Sequence, residues 1–235
     1  MSNNQSYTLR TPMIRFSYPN LITPRAYQGN NGAKGKPTFN IEAILDPSDL
    51  GKFQLLDPET KQWSDCSLSD IVMRAAKDMW PDIDVKESIK HGGLSIPVAD
   101  GDARNAEKER KGKAVTEAYN GMKLFKASTN EQYPPLLVVH DNGKMRSLDR
   151  NNDADMTVAK QRFSAGNYGL LNINVKAIET PQGKFVKCYL GSVLFAKEGE
   201  SLGGVSLEDR FQGIEGGFGD FDPMADEDES LDDLF

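Results

Sequence analysis

The sequence contains very few of the residues that metal sites and many active sites require. Its 235 residues include two cysteines and two histidines. Cys66 and Cys188 stand far apart, and His91 and His140 each stand alone, so the pattern argues against a zinc site and against a Ser–His–Asp triad. Both cysteines fall in apolar patterns, and we predict two reduced thiols in a cytosolic protein.

Several other signals are missing as well. No run approaches the roughly 20 apolar residues of a membrane span, and the N-terminal MSNNQSYTLR lacks the basic and apolar regions of a secretory signal. The pattern Gly-x-x-x-x-Gly-Lys-Ser/Thr does not occur, which excludes an ATP-driven recombinase. Asp100 and Asp102 offer two carboxylates to a divalent ion, but Asp-Gly-Asp is a common turn and no further ligands follow. We therefore predict no membrane contact, no cofactor, no metal and no catalytic residue, and a metal-dependent nuclease is disfavoured.

Acidic residues are concentrated at one end of the chain. The whole sequence has 28 basic and 35 acidic residues, a net charge of −7. Eight of the carboxylates lie in residues 220–235, which contain no Lys or Arg, so residues 1–219 hold 28 basic against 27 acidic residues. This near-neutral body is compatible with nucleic-acid binding, provided that its basic residues cluster.

The acidic segment is predicted to be a disordered recruiting tail. Like charge at this density repels itself and cannot bury enough apolar surface to fold. The segment nevertheless closes on Asp232, Asp233, Leu234 and Phe235, an ending that suits a basic pocket with a hydrophobic floor; the alternative is a merely solvated tail. Seven of the 21 residues in 199–219 are glycine, which predicts a flexible linker. The predicted organisation is a folded domain at 1–198, a linker at 199–219 and a tail at 220–235.

Alternating apolar and polar residues predict strands along most of the body. The pattern is clearest at 168–178 and 185–196, which flank a Pro-Gln-Gly-Lys turn and are predicted to form an antiparallel hairpin. Other strands are predicted at 13–18, 36–45, 122–128 and 136–140, the last of them ended by a hairpin turn at 141–144.

One principal helix is predicted, at residues 67–80, where apolar residues recur at helical spacing. Ser67 can cap its N-terminus, Asp70 favours the positive end of the helix, and Pro81 prevents continuation. Residues 20–35 are predicted to be a long basic hairpin connection. Residues 82–121 are predicted to be irregular, with the charged stretch 104–113 an exposed helix or a mobile loop.

These elements predict a mainly β fold. Five or more antiparallel strands, with one helix between the early and the late strands, fit an OB-fold, a five-stranded barrel with large loops. A β-sandwich is the main alternative.

Five stretches of the sequence resemble the phage single-stranded-DNA-binding proteins of the OB-fold kind. They are RFSYPNLITPRAYQG, KPTFNIEAIL followed by Asp-Pro, VADGD, AYNGMKLFKAST and SAGNYGLLNINVKAI, and they cover roughly residues 9–196. The tail separately resembles the acidic, Phe-terminated tail of bacterial and phage SSB proteins, with Leu234 where the bacterial tail has Pro. The resemblance implies an OB barrel that coats single strands during phage replication or recombination.

A protein of this kind needs cations that follow phosphates and aromatic rings on which bases stack. Several segments mix the two residue types closely, although each aromatic is more often a core residue and each cation an ordinary solvated charge. Tyr18, Tyr27 and Tyr133 lie in turn-rich context and are the better stacking candidates. The predicted DNA-binding set is Arg15, Tyr18, Arg25, Tyr27, Lys34, Lys36, Phe39, Lys123, Phe125, Lys126, Tyr133, Lys144, Arg146, Arg162 and Tyr168.

The sequence therefore predicts a non-enzymatic, sequence-tolerant single-stranded-DNA-binding protein. Its roles are expected in phage replication, recombination or repair, in the cytoplasm of an infected bacterial cell, as a monomer or homodimer. The tail is expected to recruit replication proteins such as a polymerase or a helicase, and to compete with DNA for the basic groove. The alternatives are a recombination or annealing mediator and an interaction protein that mimics DNA.

Overall fold

The computed structural model describes residues 5–28, 34–141 and 143–202, without the side chains of residues 27, 28 and 34. Over this part of the chain the fold is mainly β, as predicted, with twelve strands and four α-helices. The strands are β1 Ser6–Arg10, β2 Ile14–Gln28, β3 Lys34–Leu45, β4 Phe53–Leu56, β5 Trp63–Cys66, β6 Leu94–Ser95, β7 Val98–Asp100, β8 Lys123–Asn130, β9 Leu136–Asp141, β10 Lys144–Ser147, β11 Tyr168–Thr180 and β12 Gly183–Lys197. The helices are α1 Leu68–Met79, α2 Val85–Lys90, α3 Gly101–Arg110 and α4 Asp153–Arg162.

Five of the strands pair in a closed ring, in the order β2, β3, β8, β12, β11 and back to β2. A five-stranded barrel is the architecture of an OB-fold. Two junctions of the ring are narrow. β11 meets β2 at two paired positions, Tyr168 with Arg15 and Gly169 with Ile14, and β12 meets β8 at one, Tyr189 with Ser128. The second junction is parallel. In this one detail the barrel differs from the prediction, which had antiparallel strands throughout.

Strands outside the ring widen the sheet on both sides. β9 and β10 continue it beyond β12, whereas β1, β4 and β5 continue it beyond β11. The short strands β6 and β7 pair with β12 and β8. The barrel is therefore one part of a larger sheet.

The predicted β11–β12 hairpin is confirmed and forms a regular wall of the barrel. Leu171, Ile173, Val175 and Ala177 are all buried, while the residues between them are partly exposed. Cys188 faces the same interior from β12, and burial raises the pKa of its thiol. Period-two alternation thus drives the hairpin by placing one apolar face in the core.

The β2–β3 hairpin is longer and less regular than predicted. β2 does not end at residue 18 but runs on to Gln28, and β3 begins at Lys34, so most of the predicted loop at 20–35 is paired strand; residues 29–33 lie outside the described part. The pairing shifts register three times. Pro19 falls inside one of these shifts, between Ser17 and Asn20, where its missing N–H interrupts no regular ladder.

Helix α1 confirms the predicted helix at 67–80. Ser67 stands at the N-cap position, although its hydroxyl bonds to Ser69 (2.6 Å) rather than to a backbone N–H. One face of the helix is buried in the main core and packs against β11. The residues of that face are Leu68, Ile71, Val72, Ala75 and Ala76.

The region predicted to be irregular, residues 82–121, instead contains α2, β6, β7 and α3; α3 confirms the exposed-helix alternative for the charged stretch as far as residue 110. α3 begins with Asp100, whose carboxylate accepts from the N–H of Ala103 (3.0 Å). The buried Asn105 amide donates to the Thr116 carbonyl (2.9 Å) and to Asn120 Oδ1 (2.8 Å). Polar caps and an amide anchor, rather than an apolar stripe, hold this helix in place.

Two features are absent from the described residues. None of the helices there has the length and apolar character that crossing a membrane requires. In the same part of the chain, no three His, Cys, Asp or Glu side chains come together as a metal site would need. The first compact unit ends at Leu202, and most of the predicted linker and all of the predicted tail lie outside the described residues.

Candidate nucleic-acid interface

A row of polar side chains crosses the outer face of the barrel. Asn20 on β2 pairs with Asn40 on β3, which pairs with Ser128 on β8, which pairs with Tyr189 on β12. Asn20 Nδ2 donates to Asn40 Oδ1 (3.0 Å) within this row. Neighbouring strands lie about 4.8 Å apart, so the row spans about 14 Å. Small polar groups on the outside of a barrel leave a surface that a polymer strand can approach closely.

Tyr18 stands beside this row and is held in an unusual conformation. Its φ angle is +44°, a left-handed geometry that is a genuine outlier for a bulky residue. Its side chain is 59% exposed. The ring is thus presented to solvent at a backbone position where a glycine would be expected, which is typical of a functional side chain.

A buried hydrogen-bond network lies directly beneath Tyr18. The Tyr119 hydroxyl donates to Glu42 Oε2 (2.8 Å) and lies 2.7 Å from Ser17 Oγ; since its one proton is committed to Glu42, Ser17 is the donor of the second bond. Burial raises the pKa of Tyr119, which keeps the phenol neutral. Lys126 Nζ approaches Glu42 Oε1 at 3.5 Å from the exposed side. The network fixes β2, β3 and the loop after α3 to one another.

Two grooves meet at Tyr18. The outer groove, of about 370 Å³, follows β3 and β8. The basic groove, of about 380 Å³, lies between Tyr18 and α3. The outer groove is lined by Tyr18, Thr38, Asn40, Ile41, Glu42, Arg104, Lys126, Ala127 and Ser128, and the basic groove by Tyr18, Arg104, Glu107, Lys108, Lys111 and Lys113. Because Tyr18 and Arg104 line both, the two grooves form one continuous concave surface, and most of its charged side chains are cations.

Besides Lys126 with Glu42, three of the predicted DNA-binding cations are tied to carboxylates. Lys123 Nζ pairs with Asp100 (2.7 Å), Arg162 with Glu198 (2.6 Å), and Arg146 with Asp155 (2.8 Å). The backbone N–H of Asp149 and then the Arg146 guanidinium hold the pKa of Asp155 below its usual range. Each of these cations stabilises a junction of the fold, and the structure does not gather them into the face around Tyr18.

Arg15 and Tyr168 also serve a structural contact. Arg15 Nε donates to the Gly166 carbonyl (3.1 Å) and its Nη2 to the Glu200 carbonyl (2.7 Å). Its guanidinium lies 5.6 Å from the ring centroid of Tyr168, and Lys197 Nζ lies 4.8 Å from the same centroid. These residues close the β2–β11 junction.

Four other predicted cations are exposed. Lys126 lies on the outer face as described above. Arg25 and Lys36 lie on the β2–β3 arm, and Lys144 lies on the β9–β10 hairpin; none of the three pairs with a carboxylate among the described residues. The two arm residues lie on the pair of strands that carries Tyr18, whereas Lys144 lies at the far edge of the sheet.

Two predicted stacking residues are core residues, which corrects the prediction. Phe125 is fully buried and packs edge-to-face with Phe53, with ring centroids 6.0 Å apart. Phe39 is buried under the guanidinium of Arg150, 4.9 Å from its ring centroid. Neither ring can reach a base, because both point into the packed interior.

Tyr133 is exposed, as its turn-rich context predicts. It is 69% exposed and lies two residues before Pro135, whose carbonyl accepts from Arg150 (2.8 Å). The same guanidinium donates to the Leu21 carbonyl (2.9 Å), so the loop that carries Tyr133 is fixed beside β2. The other predicted residues, the side chains of Tyr27 and Lys34 and the tail residues Asp232, Asp233, Leu234 and Phe235, lie outside the described part.

Sequence reasoning missed two contributors to this surface. Tyr189 is 37% exposed on β12, and strict alternation from the buried Val186 and Cys188 would have placed it outward. Lys108 and its neighbours on α3 were noted as charged, yet nothing local to that stretch reveals that it lies beside Tyr18, some 90 residues earlier in the chain.

Comparison with known proteins gives one family. The family model described as the Enterobacter phage Enc34 ssDNA-binding protein matches residues 8–228. A search of curated proteins found no match.

The fold resembles solved structures of the single-stranded DNA-binding protein from bacteriophage Enc34. The complex of that protein with single-stranded DNA has a TM-score of 0.55 and 18% sequence identity, over 83% of this chain and 89% of that chain. A C-terminal truncation of the same protein has a TM-score of 0.53 and 20% identity, over 83% of this chain and 87% of that chain. At these identities the likeness shows the fold alone.

Proposed function

Since the chain belongs to the family of the Enterobacter phage Enc34 ssDNA-binding protein, we propose that it coats single-stranded DNA without sequence preference and without catalysing a reaction. The observation that carries the proposal is the continuous outer surface on which an exposed, strained Tyr18 stands between two grooves whose charged side chains are mostly cations. Stacking on rings and neutralisation of phosphates are both tolerant of base identity.

The proposed path of DNA follows the polar row. Bases stack on Tyr18 and Tyr189, which lie at opposite sides of the row, while Asn40 and Ser128 between them offer hydrogen bonds to sugars and bases. Phosphates lie against Lys126 and against the cations of the basic groove. Arg25, Lys36 and Tyr133 extend the path along the β2–β3 arm.

We also propose a double role for the acidic tail. Its eight carboxylates are suited to compete with DNA phosphates for the cations of the body, and its Leu234–Phe235 ending is suited to a hydrophobic pocket on a replication protein such as a polymerase or a helicase. The protein would act in phage replication, recombination or repair, in the cytoplasm of the infected bacterium, as a monomer or homodimer. The support for these assignments is the sequence and the family.

The test of single-strand binding is fluorescence anisotropy of the full chain with labelled oligo-dT, a duplex and an RNA of equal length, across salt concentrations. If the surface neutralises about three to five phosphates, log K against log salt should have a slope of roughly −2 to −4. Preference for oligo-dT over the duplex is expected. A DNA affinity that does not depend on salt would contradict phosphate binding by the groove. Mg²⁺-dependent cleavage of the DNA in the same assay would contradict a non-enzymatic function.

The test of the tail compares two truncations. Deleting residues 220–235 changes the net charge from −7 to +1, and it should tighten single-strand binding, most visibly at low salt where screening is weak. Deleting Phe235 alone leaves the charge nearly unchanged, so DNA affinity should stay constant while capture of the replication partner is lost. Weaker DNA binding by the longer truncation would contradict competition by the tail.

A further inference from the structure

We infer that Glu107 on α3 holds the place of a DNA phosphate in a nucleotide subsite formed by the basic groove. The inference rests on the proposed single-strand binding and deepens it. A base would stack on Tyr18, and its phosphate would lie against Arg104 and Lys111 after displacing the Glu107 carboxylate. Glu107 would thereby weaken DNA binding, and its charge would set how readily single-stranded DNA enters the basic groove.

The charge of the groove supports an anionic ligand. Four cations line it, namely Arg104, Lys108, Lys111 and Lys113, against the single carboxylate of Glu107. The excess of positive charge stands in a concave site, where it acts on an anion more strongly than on a flat surface. Phosphate is the anion that a single strand supplies at every nucleotide.

Glu107 already makes the contacts that a phosphate oxygen would make. Its Oε1 accepts from Lys111 Nζ (2.5 Å) and its Oε2 from Arg104 Nη1 (3.4 Å). Lys111 holds the pKa of Glu107 below its usual range, so the carboxylate stays ionised at neutral pH. The side chain is 39% exposed, so it can swing out into solvent when another anion arrives.

Lys108 fixes the aromatic side of the subsite. Its Nζ donates to Thr116 Oγ1 (2.6 Å) and lies 4.8 Å from the Tyr119 ring centroid and 5.8 Å from that of Tyr18. Its partners are a hydroxyl and two rings, so its charge is held in place without a carboxylate among the described residues. When a nucleotide stacks on an exposed ring with a cation beside it, the ring contacts the base and the cation attracts the phosphate.

The helix that carries these residues is firmly docked, so the groove exists before DNA arrives. A Cβ at Gly101 would lie 2.0 Å from the Tyr119 carbonyl oxygen, which shows how closely the start of α3 packs on the loop that leads to β8. The N–H of Thr116 donates to Asn105 Oδ1 (3.0 Å) and completes the amide anchor. A preformed site loses little conformational freedom on binding.

The experiment compares Glu107→Gln with Glu109→Gln in the full chain. Both variants remove one negative charge from the same helix, but the exposed Glu109 does not line the groove. At low salt, Glu107→Gln should tighten binding of labelled oligo-dT by about fivefold, near the upper end for an exposed ion pair. Glu109→Gln should change it by less than about twofold, since only the long-range charge is altered.

A double variant separates the local effect from a general one. If the loss of Glu107 leaves Lys111 free for the phosphate, Lys111→Gln should abolish much of the gain from Glu107→Gln, whereas Lys77→Gln on α1 should leave that gain intact. Melting temperatures check that each variant folds. Equal affinities of Glu107→Gln and Glu109→Gln would overturn the inference while leaving single-strand binding in place. Failure of the unaltered chain to bind oligo-dT would instead overturn the proposed function.

Discussion

The two long hairpins of the barrel contrast sharply. β11–β12 pairs from Tyr168 to Thr180 with two register shifts, and β11 buries every second residue from Gly169 to Ala177. β2–β3 has three shifts over fewer paired positions and includes a left-handed Tyr18. The regular hairpin packs one face into the core of the barrel, whereas the irregular hairpin holds side chains such as Tyr18 exposed on the surface. Regularity here marks stability, and departure from regularity marks the candidate binding surface.

The largest expected effect tests the regular hairpin. Ile173 is fully buried on β11, and Ile173→Ala should lower the free energy of unfolding by about 2–5 kcal/mol, because a large cavity is left in the core. Lys176→Ala, on the outward face of the same strand, should change it by less than about 0.5 kcal/mol. Chemical denaturation measures both. The DNA affinity of the folded Ile173→Ala protein should be unchanged. A loss of DNA binding by the folded variant would contradict the assignment of the buried face of the β11–β12 hairpin to stability alone.

The next effect concerns the network under the irregular hairpin. Tyr119→Phe removes the hydroxyl that joins Ser17 to Glu42, and it leaves a buried carboxylate without its donor, at a cost of about 1–3 kcal/mol. Ser17→Ala keeps the Tyr119–Glu42 bond and should cost less. Urea denaturation of the two variants gives the ranking, and a reversed order would show that Glu42 does not depend on Tyr119.

The smallest effect on stability has the opposite sign. Tyr18→Gly should raise the free energy of unfolding by about 0.5–1 kcal/mol, because the left-handed conformation costs a non-glycine residue about 1–2 kcal/mol and glycine loses more entropy on folding. The same change should weaken single-strand binding by about 1–3 kcal/mol through loss of a stacked ring.

Tyr18→Phe is the matched control for that prediction. It keeps both the strain and the ring, so both stability and DNA affinity should stay close to those of the unaltered chain. Anisotropy and thermal melting on the same samples report the two quantities. A Tyr18→Gly protein that is less stable and binds DNA normally would assign Tyr18 to structure alone.

The contrast also explains which parts of the fold the sequence predicts. β11, β12 and α1 follow from periodic apolar residues, since each buries one face. α4 was not predicted, and α3 was predicted only as an exposed helix or a mobile loop at 104–113, because both lack such a face; polar caps at Asp100 and Asn152 start them instead. The prediction of β2 stopped at residue 18 because Pro19 normally ends a strand, and only the register shift around it makes it tolerable.

The candidate site was predictable to a lesser extent. Tyr18, Tyr133 and Lys126 were predicted and are exposed, and their role in binding remains a proposal. In the sequence, Phe39 and Phe125 lie near cations just as a stacking residue would. Whether such a ring is buried or exposed depends on the face of the strand that it occupies, and both of these rings occupy the buried face. The basic groove joins α3 to Tyr18, and local sequence carries no information about contacts between such distant segments.

The closed ring has a consequence for the way the protein acquires its structure. β2 meets β11 and β8 meets β12 only through pairings that join distant parts of the chain, and such contacts slow folding because long loops must close before they form. Of the ring strands, β2, β3 and β8 are synthesised first. The outer edges of β2 and β8 then stay unpaired until the β11–β12 hairpin has been made. That hairpin is local and can form quickly. We therefore expect barrel closure by β11–β12 to be the slow step, and the row from Asn20 to Tyr189 to be completed only when it has occurred.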